Sequence, residues 1–168
     1  GYVDINNQPI IDKSVAGAER QFFSDAPDGT SLLTVPNAKV DGVKGKPVFA
    51  VVQFEYTTWA QDGTTDMYGK LPSPIAVLTL DQDQKTGHLN LKKYHNVDMS
   101  KVHGLWITCG ASLSPWNTHL SSEEYEPDAF DQIGTTLSTL KAYSSYLYGN
   151  EDEANVYNYG HMPEIALD

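Results

Sequence analysis

One cysteine, Cys109, and one arginine, Arg20, stand among 168 residues, and that scarcity limits the chemistry before any pattern is read. A single cysteine excludes an intramolecular disulfide and says little about compartment. A single arginine leaves one side chain able to clamp a phosphate in bidentate fashion. Positive charge is scarce overall: 11 Lys and Arg face 22 Asp and Glu, for a net charge of −11. That balance argues against nucleic acid and anionic membranes, which both reward clustered Lys and Arg. No apolar run approaches about 18 residues, so no membrane-spanning helix is predicted. No basic-then-apolar segment opens the chain, so no signal peptide lies within it, and a start at Gly1 fits a processed or trimmed product. His88, His95, His103, His119 and His161 form no HxH or HExxH pair, which gives zinc hydrolysis little support. GxSxG and glycine-rich phosphate loops are missing, as are clear internal repeats and low-complexity segments.

What is present describes one domain with a sizeable core, 40% hydrophobic and 20% charged. Residues 1–30 show weak periodicity and read as irregular. Ser31–Val35 reads as a first strand, Asp41–Pro47 as a turn, and the β-branched, aromatic run Val48–Thr57 as a buried strand. Trp59–Pro74 reads as a long loop. Ile75–Leu80 and His88–Tyr94 alternate on either side of DQDQKTG, the pattern of a hairpin with a longer loop. That linker, Asp81–Gly87, lacks the sixth-position glycine and the distal glutamate of an EF-hand, so a turn is the better reading. Leu105–Thr108 is predicted as another strand. Ile133, Leu137, Leu140, Ser144 and Leu147 follow helical spacing and end at Gly149, which predicts one amphipathic helix near 133–148. Glu151–Asn155 reads as a loop and Val156–Ile165 as a final strand. Trp59, Trp106, Trp116, Tyr143, Tyr146 and Tyr148 read first as packing residues, with a sugar- or protein-binding surface as the rival. Short strands with one inserted helix imply a mainly β fold: a sandwich, barrel or propeller.

The most informative stretch is Gly104–Asp128, GLWITCGASLSPWNTHLSSEEYEPD. Cys109 comes 14 residues before Glu123, which opens the carboxylate run Glu123, Glu124, Glu126 and Asp128, with Asp131 beyond. Like charges crowded on a loop cost free energy unless a cation or solvent screens them. A soft thiolate with hard oxygen donors suits a mixed metal site, and a bound metal would hold the thiolate. The competing reading is a buried free cysteine beside a solvated acidic loop. A cysteine nucleophile with His103 or His119 as base lacks any oxyanion device, and regular alternation would put His103 and Cys109 on opposite strand faces.

CGASLSPWNTHLSSEE resembles the signature of the PhoX-type alkaline phosphatases, through Cys109, Ser114, Pro115, Trp116, Thr118, Leu120, Glu123 and Glu124. FEYT, Phe54–Thr57, is similar to that family's strand ending in His-Glu-Tyr-Thr, with Glu55 as the counterpart. YGHMPEI, Tyr159–Ile165, is similar to a Tyr-Gly-x-x-x-Glu-Ile strand, with Glu164 at its acidic position. In order and separation the three agree with the family over roughly Ser31 to the C-terminus. Asn117 stands for the usual Gly, Ser122 where a second Cys is common, and Phe54 for His.

The resemblance implies a six-bladed β-propeller with a central iron and calcium cluster that hydrolyses phosphomonoesters, in the periplasm or secreted. It implies Cys109 as an Fe3+ ligand and Glu123, Glu124 and Glu55 as metal ligands, with Ca2+ on carboxylate oxygens. Glu164 is either a further ligand or a structural residue. Propeller blades need roughly 40–50 residues each, so this chain is expected to be a portion of the propeller. It would supply part of the metal site for a phosphate ester substrate. The remainder would come from a separate chain or segment, and Arg20 lies outside the matched motifs. The alternative is a non-catalytic, calcium-stabilised propeller module for binding or assembly.

Overall fold

Alternating side chains build the largest sheet. The computed structural model describes residues 1–130 and 135–168. Short strands β1 (Ile11–Asp12) and β2 (Arg20–Gln21) pair with each other. Strands β3 (Pro27–Leu33), β4 (Lys46–Phe54), β5 (Ile75–Gln82) and β6 (Leu89–Asn96) form an antiparallel meander in sequence order. Strands β7 (Thr108–Leu113), β8 (His119–Glu123) and β9 (Glu164–Ile165) form a third antiparallel sheet, and α1 covers Thr135–Tyr148. The described residues are therefore mainly β, with one α-helix and no sheet closed on itself. No described helix is long and apolar enough to cross a membrane.

One face of the meander carries Leu33, Val51, Ile75 and Val77, which pack with Leu105 and Ile165. The other face holds the row Leu32, Ala50, Leu78 and Tyr94, in register across all four strands. A period of two sends alternate residues to opposite faces, so the register separates these rows without exception along β4. Strand β6 is an edge, exposed along nearly its whole length, and a register shift opposite Thr79–Leu80 interrupts it. Such bulges and edge lysines discourage further pairing.

The hairpin of β5 and β6 lies where the alternation predicts it. The first strand starts earlier, at Pro27, because β3 pairs with β4 from Phe54 onward. The expected strand at Leu105–Thr108 is displaced: Leu105, Trp106 and Ile107 are buried, but Ile107 has φ of 27°, and β-structure begins only at Thr108. The positive φ turns the backbone out of extended geometry. Val156–Ile165 is mostly not a strand either. It forms a single 3-10 turn and a two-residue strand, separated by Gly160 at φ 85° and by Pro163.

Helix α1 agrees with its spacing over Leu137–Leu147, while Ile133 and Asp131 lie outside the described residues. Gly149, at φ 73°, donates its N–H to the Ser145 carbonyl and ends the helix in the left-handed conformation glycine favours. Leu140, Tyr143 and Leu147 pack with Trp106, Ile107, Val156 and Tyr159. Tyr143 also donates its hydroxyl to the Leu105 carbonyl at 3.1 Å. The helix thus clamps the segment that leads into Cys109.

Candidate metal centre

Two bulges face each other where the sheets meet. Register shifts lie between Pro27 and Thr30 on β3 and between Thr108 and Ala111 on β7. Bulges re-aim side chains that regular pleating would send elsewhere. Here they bring Asp28 and Cys109 together, with the thiol donating to Asp28 Oδ2 at 3.2 Å. Gly29 makes the approach feasible. A Cβ there would lie 2.4 Å from Ala111 Cβ and 2.8 Å from the Cys109 carbonyl oxygen.

Glu55 follows β4 and completes the group. One ligand atom each from Asp28, Glu55 and Cys109 all lie within 4.8 Å of one another. Glu124, immediately after β8, is held by its N–H to the Ile107 carbonyl at 3.0 Å and adds its negative charge beside Glu55. Burial, then the adjacent Asp28 and Glu124, push the Glu55 carboxyl from 4.5 up to about 7. The hydrogen bond to Asp28, then burial and the charges of Glu124, Asp28 and Glu55, push the Cys109 thiol up to about 12. No ion pair among the described residues reaches Asp28, Glu55 or Glu124. Without a cation, protons relieve the crowding, and a thiol so strongly protonated is the opposite of an activated nucleophile.

The other expected residues are placed differently. Both oxygens of Glu123 are engaged by backbone: Oε1 accepts from Trp106 N–H at 2.6 Å, and Oε2 from Gly160 and His161 N–H at 2.7 and 2.9 Å. Burial raises its pKa against those three donors. Glu164 accepts from Trp116 Nε1 and Thr118 Oγ1, both at 2.5 Å, and these bonds hold its pKa below the usual value. It fastens the Ser-Pro-Trp turn to β9. Ser122 donates to the Gly110 carbonyl at 3.0 Å. Arg20 lines a small cavity with Phe22, Phe23, Trp59 and Gln61 that none of Asp28, Glu55, Cys109 or Glu124 borders. Of the two histidines weighed as a base, His103 meets Tyr148 Oη at 3.2 Å, and His119 is fully buried between Ser31 and Gln53.

Asp28 is the residue that sequence reasoning missed. It sits in a stretch of weak periodicity with no motif around it, and the flanking Gly29 is the one local sign of a close backbone approach. Three tyrosines lie beside the carboxylates. The Tyr56 and Tyr68 rings meet edge-on at 4.7 Å. The Glu55 charge raises the Tyr56 pKa, while burial and then the Tyr125, Tyr56, Glu124 and Glu55 groups raise that of Tyr68. A scan against protein-family models finds no matching family, and searches of curated proteins and of solved structures find no match.

The donor set itself fits a metal. Thiolate sulfur suits iron, and carboxylate oxygens suit iron or calcium. The proton that the Cys109 thiol donates to Asp28, and the one that the raised Glu55 carboxyl retains, mark positions that a cation could take over.

Proposed function

We propose that Asp28, Glu55 and Cys109, with Glu124 beside them, form part of a metal centre that hydrolyses phosphomonoesters, in a chain that is a portion of a PhoX-like propeller. The observation that carries this reading is the convergence of one thiol and two carboxylates within 4.8 Å, with no cationic side chain among the described residues paired to them. Cys109 would hold iron, and the carboxylates would hold iron or calcium. When bound, such ions supply Lewis acidity toward a phosphoryl oxygen and a more acidic water. The chain's own contribution is positional. Asp28 orients the thiol, Glu124 gathers negative charge beside Glu55, and Glu123 anchors the backbone at Trp106 and at Gly160–His161. With its oxygens given to three N–H donors, Glu123 is read as a strut that frames the centre. Arg20 lines a cavity that none of the group borders, so a clamp and further ligands are assigned to the remainder of the propeller. A periplasmic or secreted setting accompanies this reading by resemblance.

Metal analysis of the purified chain tests it. Near-stoichiometric iron that is lost in Cys109→Ser supports the reading. Calcium alone, or no metal, with unchanged folding of that variant, overturns it. Hydrolysis of p-nitrophenyl phosphate by this chain alone with added calcium and iron would show that the site is complete, against the assignment of a partial one.

A second reading, a non-catalytic calcium-stabilised module for binding or assembly, is favoured by one observation. The outer face of the meander exposes Leu32, Leu91 and Tyr94. An apolar sheet face of this kind is what a neighbouring propeller blade would cover.

A further inference from the structure

Behind the Cys109 bulge lies a buried chain of hydrogen bonds that crosses four strands. Ser31 on β3, Gln53 on β4 and His119 on β8 are all buried, Gln53 and His119 completely. His119 Nδ1 lies 2.8 Å from Ser31 Oγ, and His119 Nε2 lies 3.0 Å from Gln53 Oε1. The Gln53 amide nitrogen donates to the Cys109 carbonyl and, at 3.0 Å, to the Gly110 carbonyl. Those are the two bulged residues of β7.

Donor and acceptor counting gives this chain one direction. Carbonyl oxygens only accept, so the Gln53 group facing Cys109 and Gly110 is its NH2, and both hydrogens are spent there. Its Oε1 must then accept, which makes His119 Nε2 the protonated nitrogen. Nδ1 is left to accept from the Ser31 hydroxyl. With the imidazole neutral, as its burial favours, every member is satisfied in one arrangement only, and buried networks of this kind specify a unique geometry.

We propose that His119 is a positioning residue which, through Gln53, holds the Cys109–Gly110 bulge in place and so keeps the Cys109 thiol against Asp28 and Glu55. Removing the imidazole leaves Gln53 Oε1 without a donor in a dry interior. That buried oxygen then favours any rearrangement of the Gln53 side chain that finds it a new donor, and such a rearrangement withdraws the NH2 from β7, so the bulge loses the two bonds that resist its straightening. A regular β7 would send Cys109 out of the group. The functional consequence rests on the reading of that group as a metal centre, whereas the placement of the thiol does not.

The test uses the full chain, His119→Leu and His119→Gln, because glutamine can still donate to Gln53 Oε1. Cobalt(II) alone is the metal probe, followed through thiolate-to-cobalt absorption. Iodoacetamide reports the Cys109 environment in metal-free protein. His119→Leu is expected to weaken cobalt binding by about tenfold or more, in the range seen when residues behind metal ligands are removed, and to change the alkylation rate severalfold. His119→Gln is expected to restore both toward wild type. A folded His119→Leu that keeps wild-type alkylation overturns the proposal. Absence of a thiolate-to-cobalt band in the wild type overturns the metal-centre reading instead and leaves the alkylation result to decide this one. Should His119→Leu not fold, the imidazole nitrogen shifts of the wild type decide. Nε2–H with a bare Nδ1 supports the proposal, and the Nδ1–H tautomer overturns it.

Discussion

The Cys109 thiol reaches Asp28, 81 residues away in the chain, at 3.2 Å, across two bulges that belong to different sheets. Neither residue lies on the other's strand or hairpin. Their meeting depends on Gly29, whose missing side chain lets β3 approach the β7 backbone.

Gly29→Ala is therefore expected to destabilise the chain by about 1–3 kcal/mol, the usual cost of overpacking where backbone cannot yield. The added methyl would meet Ala111 N at 2.7 Å as well as its Cβ. Urea unfolding would give the loss of stability, and a parallel fall in cobalt affinity would show that Asp28 and Cys109 had been driven apart. Wild-type stability in this variant would contradict the close approach.

Metal-free protein should lose stability as pH rises from about 4.5 toward 7. The folded-state pKa of Glu55, about 7, exceeds its ordinary 4.5. The folded chain therefore holds this proton over a range where the unfolded chain has released it. The favourable contribution is complete below 4.5 and gone above 7. Thermal melts at pH 5 and pH 8 should differ by a few degrees in the wild type and by much less in Glu55→Gln. On the proposed reading, a bound metal would reverse the sign, since a cation favours deprotonated ligands.

Asp28→Asn should bring the Cys109 thiol back down from about 12, because the hydrogen bond to the Asp28 carboxylate is the largest cause of its elevation. Alkylation at pH 9 would then run faster than in wild type. An unchanged rate would mean that burial, with the charges of Glu124 and Glu55, holds the proton without Asp28.

Glu123 and Glu164 should separate by phenotype. Glu123→Ala leaves the N–H groups of Trp106, Gly160 and His161 without their acceptor, and is expected to cost about 1–3 kcal/mol. Glu164→Ala frees the exposed Trp116 side chain and should shift the melting temperature little while leaving metal content unchanged. Loss of metal from a folded Glu164→Ala would restore Glu164 as a ligand.

Local pattern made much of this legible. The β5–β6 hairpin follows from alternation because a period of two is set by nearest neighbours along one strand. Helix α1 and its stop at Gly149 follow from a 3.6-residue period and a left-handed cap, both again local. Cys109, Glu55, Glu123 and Glu124 are legible as candidates through motif resemblance, and Cys109 with the carboxylate run also through the pairing of one soft donor with hard ones. Strand limits near Ile107 and Gly160 were not legible, because a positive φ at Ile107 answers to the clamp from α1 and not to its own β propensity.

By itself, then, the sequence determined the mainly β class, the position of the helix and the presence of one soft donor among many hard ones. Tertiary structure decided which carboxylates meet it. Asp28 enters because two bulges and a glycine bring distant backbones together, and Glu123 is engaged elsewhere because three N–H donors from separate segments converge on it. Spacing along a chain cannot encode such meetings. They are set by how sheets pack, and side-chain direction at a bulge is a property of both strands at once.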